Sequence, residues 1–202
     1  QGMPQGNQSN DPINKNNKLD YARDINNYIR KETVADGNCF FNAIAILLWN
    51  RLKNGGVDSP NKQLNDSLNK FKNEENITDS MQKEVAKVLR EILVAHVIEN
   101  TDFNNENNHV YLKDLFPDIS QDKLQINYLD RLLSNDFHSK YCGIFELKIL
   151  ADLIKIEINL HTNNGHHGLM VTGSYENPIG ILSNIDGEHW TAYIPKPARA
   201  AA

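Results

Sequence analysis

The chain predicts an α+β domain, with helices first and a small, largely antiparallel sheet after them. Three observations carry this. From Cys39 to about residue 100, apolar residues recur at helical spacing. From Lys155 to His161 they alternate strictly, the period of a half-buried strand. Asn163-Asn164-Gly165 is then a turn signal, followed by short apolar runs at 169–171, 179–182 and 190–194. Helices that precede strands, without regular alternation between them, give segregated layers rather than a doubly wound sheet. The 202 residues fit one domain, and 40% hydrophobic content supplies a core.

Residues 1–17 are polar, rich in Asn and Gln, and read as a disordered segment. They contain no apolar stretch of signal-peptide type. Residues 18–196 form the folded domain, and Pro197-Ala198-Arg199-Ala200-Ala201-Ala202 reads as a vector-derived tail. Within the domain, 19–30 is expected to be a short helix with Tyr21, Ile25, Tyr28 and Ile29 on one face. Thr33-Val34-Ala35 leads into a turn at Asp36-Gly37. Residues 39–52 form the first long core helix, stopped by Asn54-Gly55-Gly56. Residues 57–78 are polar and read as a loop with weak helix. Asp79 or Ser80 is the expected N-cap of the next helix. Val85, Val88, Leu89, Ile92, Leu93, His96 and Val97 give that helix its apolar face. A polar loop at 104–109, a helical turn at 112–116 and an amphipathic helix at 120–135 follow, then a helix at 143–153.

Composition excludes several classes of function. A net charge of -5 does not suit a general nucleic-acid binder, which carries a basic face. A mean hydropathy of -0.56 and the lack of a long apolar run exclude a membrane-spanning helix. The two cysteines, Cys39 and Cys142, lack CxxC spacing, so neither a disulfide framework nor a zinc site is expected. His161, His166 and His167 cluster at a turn without a carboxylate or cysteine at ligand spacing, which reads as an exposed hairpin. No metal and no cofactor are expected, and His96 reads as a core histidine. The expectation is a soluble monomer in a reducing compartment.

The chemistry concentrates at Asp36-Gly37-Asn38-Cys39, followed by Phe40-Phe41-Asn42-Ala43-Ile44-Ala45-Ile46-Leu47-Leu48-Trp49. A cysteine here sits where a glycine turn enters a buried helix. The unpaired amides and dipole of a helix N-terminus favour the thiolate, which is the nucleophilic form. Far downstream, Gly187-Glu188-His189-Trp190-Thr191 places a histidine at the start of a strand. A cysteine and a histidine distant in sequence but joined in the fold are what nucleophilic thiol catalysis needs.

These segments resemble a known family. Asp36-Gly37-Asn38-Cys39-Phe40-Phe41-Asn42-Ala43 is similar to the cysteine box of the ovarian tumour (OTU) deubiquitinases, and Gly187-Glu188-His189-Trp190 to their histidine box. Tyr141-Cys142-Gly143-Ile144-Phe145-Glu146-Leu147-Lys148-Ile149-Leu150-Ala151 resembles the helix that precedes a strand between the boxes, and Val88-Leu89-Arg90 another helix of the family. The resemblance implies a papain-like OTU fold, with a small mixed or antiparallel sheet flanked by helices and the catalytic cysteine at a helix N-terminus. It implies a thiol protease that hydrolyses bonds after the Gly-Gly end of ubiquitin through a thioester, without metal or cofactor. The implied partners are ubiquitin or polyubiquitin chains.

Carried over by position, Cys39 is the nucleophile and His189 the general base. Gly37 and Asn38 line the oxyanion and substrate side, together with the Cys39 amide. Trp190 either walls the Gly-Gly channel or packs the core. The family commonly has Asp or Asn two residues after the histidine, and this chain has Thr191. A hydroxyl can orient an imidazole but brings no charge to an imidazolium. Thr191, Asp36, Asp186, Asp20 and Asp24 all stay open as the third member. Two other readings stand beside the protease: an OTU-fold ubiquitin-binding module with weak or no activity, and a papain-like peptidase acting on another ubiquitin-like modifier. Abundant Asn, Lys and Ile suggest an AT-rich genome, and with it a bacterial effector exported into a host cytosol.

Overall fold

The computed structural model describes residues 25–99, 132, 142–162, 165–167, 180–184 and 189–197. Tyr28–Lys31 forms strand β1 after a 3-10 turn at Ile25–Asn27. This replaces the helix expected over 19–30. The physical reason is tertiary: β1 pairs antiparallel with the last strand along its whole length, from Tyr28 opposite Pro195 to Lys31 opposite Ala192. The helical face implied by Ile29 is not buried, since that residue is 36% exposed.

Helix α1, Cys39–Asn54, is the centre of the molecule. Every residue from Cys39 to Trp49 is buried, so the helix is covered on all sides rather than along one stripe. Gly55 and Gly56 follow it, with Gly56 at a φ of 82°. Helix α2, Lys62–Asn69, lies in the segment read as irregular. Asn61 caps it, its side-chain oxygen accepting from the Leu64 N–H at 2.9 Å. It buries only Leu64, Ser67 and Leu68, which is why its pattern is faint in the sequence.

Helix α3, Asp79–Glu99, packs on α1 and buries Met81, Val85, Val88, Leu89, Leu93 and Val97. Its first turn is capped by Thr78 rather than Asp79 or Ser80: the Thr78 hydroxyl accepts from the Met81 N–H at 3.2 Å. Helix α4, Ile144–Ile154, packs on α3 and ends at Lys155 in the left-handed region, φ 56°. That cap delays the expected strand. Strand β2 runs Asn159–Thr162, while Ile156 and Ile158 are buried ahead of it.

The remaining strands are β3, Gly165–His167, β4, Ile181–Asn184, and β5, Thr191–Pro195. The sheet order is β1-β5-β4-β2-β3, with β2 and β4 parallel and the other pairs antiparallel. Helix α1 packs on β5 and β4 as well as on α3. The sheet meets α1 closely at Gly180, where a Cβ would collide with Leu47 Cδ2 and lie 2.6 Å from the Tyr193 carbonyl oxygen. The elements expected at 104–135 and 169–171 lie outside the described residues, apart from the buried Leu132. No helix among the described residues is long and apolar enough to cross a membrane.

Candidate active site

The turn before α1 is built by its own side chains. Gly37 has φ 81°, a conformation that costs any residue with a Cβ. Asp36 Oδ1 accepts from the Asn38 N–H at 3.0 Å and from Asn42 Nδ2 at 2.8 Å. The Asn42 amide also donates to the Val34 carbonyl at 3.2 Å, and Gln82 Oε1 accepts from the Val34 N–H at 3.0 Å. Both helices that flank the turn therefore hold the segment that leads into Cys39. The Asn38 N–H, one of the expected oxyanion donors, is already bonded to Asp36.

Cys39 is the first residue of α1 and is 6% exposed. Asn38 precedes it without making the usual side-chain cap. Its Oδ1 instead accepts from Arg90 Nη1 at 2.8 Å. Arg90 also donates to the Leu132 carbonyl, at 3.1 and 3.3 Å. Burial lowers the pKa of its guanidinium and Cys142 partly offsets this; an arginine still stays charged at neutral pH.

The Cys142 thiol is pushed well above the usual thiol range. Burial is the main cause, Glu146 and Cys39 add to it, and Arg90 opposes it. Glu146 is fully buried and accepts from the Gly143 N–H at 2.8 Å, which fixes the N-terminus of α4. Neither cysteine is disulfide-bonded.

His189 lies two residues before β5. Its side chain is 33% exposed, and Nε2 lies 3.0 Å from the Thr33 hydroxyl oxygen. The same hydroxyl donates to the Trp190 carbonyl at 2.8 Å. Glu32 Oε2 is 3.8 Å from Nε2, and Glu32 Oε1 pairs with Arg30 Nε at 2.7 Å. Trp190 is 1% exposed and meets Phe40 edge to face at 5.1 Å. Phe40 adjoins Cys39 and Trp190 adjoins His189. The ring contact thus brings the two boxes together across some 150 residues of sequence.

Thr191 opens β5, is buried, and stands opposite Ser183 of β4. Asp36 is engaged by the turn. Asp20, Asp24 and Asp186 lie outside the described residues. The hydroxyl on the imidazole, Thr33, was not among the expected candidates. In the sequence it reads only as the approach to a turn.

No protein-family model matches the chain, and no match is found among curated proteins. Solved structures similar to it include the viral OTU domain protease from Farallon virus, at 15% identity and a TM-score of 0.47, covering 84% of this chain and 85% of that one. The Hazara virus OTU bound to ubiquitin is similar at 17% identity and a TM-score of 0.44, over 86% of each chain. An OTU deubiquitinase in complex with Ub-PA is similar at 13% identity and a TM-score of 0.44, over 84% of this chain and 74% of that one.

Proposed function

We propose that the protein is a cysteine-dependent deubiquitinase of OTU type, cleaving after the Gly-Gly terminus of ubiquitin with Cys39 as nucleophile and His189 as general base. The observation that supports this most is the Phe40–Trp190 ring contact, which joins a DGNC turn at a helix start to a histidine at a strand start.

In this reading Cys39 Sγ attacks the carbonyl of the terminal glycine while His189 takes the thiol proton. The tetrahedral oxyanion forms at the N-terminus of α1, where the helix dipole and fixed donors stabilise it. Asn38 is suited to add a donor, because Arg90 holds its side-chain oxygen and leaves the Nδ2 hydrogens as its outward chemistry. His189 then protonates the leaving lysine amine, and a thioester remains. Water, deprotonated by His189, attacks the thioester and releases the ubiquitin carboxylate and the Cys39 thiol. The reaction uses no metal or organic cofactor. Ubiquitin or polyubiquitin chains are the proposed partners of a monomeric enzyme.

Hydrolysis of a fluorogenic ubiquitin C-terminal amide tests this. The expected result is release of the fluorophore by the wild type and loss of release in Cys39→Ala. Wild-type protein that leaves the amide intact, or full activity in Cys39→Ala, would contradict the proposal.

A further inference from the structure

Thr33 makes two hydrogen bonds at the histidine. A threonine hydroxyl has one proton to donate. The Trp190 carbonyl, 2.8 Å away, can only accept, so that proton points to it. Toward His189 Nε2, at 3.0 Å, the hydroxyl oxygen is then an acceptor. Nε2 must carry the hydrogen of the neutral ring, and the basic lone pair belongs to Nδ1. The register explains why Thr33 stands here. The β1–β5 ladder ends with Lys31 opposite Ala192, and two further residues along the same register set Thr33 opposite Trp190. Gln82 and Asn42 hold the next residue, Val34, through its N–H and its carbonyl, so the hydroxyl is supported from α3 and α1.

We infer that Thr33 is the positioning residue for His189: it fixes the Nε2–H tautomer and so presents Nδ1 to Cys39 as the base, while Glu32 supplies the nearby negative charge for the imidazolium. This rests on the proposed role of His189. It assigns the orienting function to the segment before the cysteine box rather than to a residue after the histidine. Glu32 is the lesser contributor, since it is 64% exposed and shared with Arg30.

The test has two arms. In the first, long-range 1H–15N correlation spectra of histidine-labelled protein are recorded at mildly alkaline pH. Wild type and Thr33→Ser are expected to show His189 protonated at Nε2 and bare at Nδ1. Thr33→Val is expected to show a tautomer mixture at an unchanged overall fold. A wild-type ring protonated at Nδ1 would overturn the inference, and this arm needs no enzymatic activity. The second arm measures turnover of the fluorogenic ubiquitin amide. Thr33→Ala should lower kcat on the order of 10²-fold with KM nearly constant, because a misaligned base costs about that much. Thr33→Ser should restore most of the rate, and Glu32→Gln should lose only about fivefold or less, as befits an exposed ion pair. Unchanged kcat in Thr33→Ala, with the wild type active, would refute the role of Thr33 while leaving the deubiquitinase reading intact.

Discussion

Asn42 ties the turn before Cys39 to helix α1. It is fully buried in α1, and its Nδ2 bonds both the Val34 carbonyl and Asp36 Oδ1. Removing it takes the side-chain donor from the Val34 carbonyl and one of two donors from Asp36 Oδ1, and a lost hydrogen bond costs about 0.5–1.5 kcal/mol. Asn42→Ala should therefore lower the unfolding free energy measured in urea by about that range per bond, with a lower midpoint, and slow turnover, with the far-UV spectrum retained. An unaltered urea midpoint would count against this role. The two cysteines should also separate chemically. Cys142 is 3% exposed and its thiol is held in the protonated form by burial, while thiolate is the species that alkylates. Iodoacetamide on native protein should modify Cys39 and leave Cys142, as read by peptide mass mapping, with both modified in urea. At this scale the sequence was legible where a residue acts on its own neighbours: Asp36, Gly37, Asn38 and Cys39 are contiguous. Thr33 was not, because its partners are 156 and 157 positions away and nothing local marks a threonine that will face a histidine.

Among the elements, those with strong periodicity were readable. Helices α1, α3 and α4 fall where the apolar spacing puts them, within a residue or two at the ends. The discrepancies have physical causes. Strand β1 exists because β5 offers a partner, a long-range fact absent from the local pattern 19–30. Helix α2 exists because Asn61 caps it and α3 receives Leu64 and Leu68, although most of its residues are polar. Strand β2 starts late because Lys155 closes α4 in the left-handed region. The junction of sheet and helix at Gly180 makes the firmest prediction here. Gly180→Ala would drive its methyl into Leu47 and against the Tyr193 carbonyl, and a backbone oxygen cannot turn aside as a side chain can. Overpacking of this kind typically costs about 1–3 kcal/mol. The melting temperature should fall accordingly; an unchanged melting temperature in Gly180→Ala would contradict the close approach.

For the molecule as a whole, stability should depend on His96 at mildly acidic pH. Its pKa is lowered, chiefly by burial on α3 and partly offset by Glu99. The folded state therefore resists protonation that the unfolded chain accepts at about 6.5. The associated stability is present above that value and declines as pH falls through it and below. Urea midpoints at about pH 7.5 and about pH 5.5 should differ more in wild type than in His96→Gln, and equal differences would remove His96 from the account. The same global view explains the site. The proposed nucleophile opens a helix buried from Cys39 to Trp49, the proposed base lies two residues before the strand packed on that helix, and Thr33 lies just beyond the partner of that strand. The most direct measurement is reaction with a ubiquitin carrying a C-terminal electrophile, with wild type run beside Cys39→Ala and His189→Ala. The account predicts a wild-type adduct heavier by about one ubiquitin, located on Cys39 by peptide mapping and lost in both variants. An unmodified wild type, or an adduct on Cys142, would contradict it.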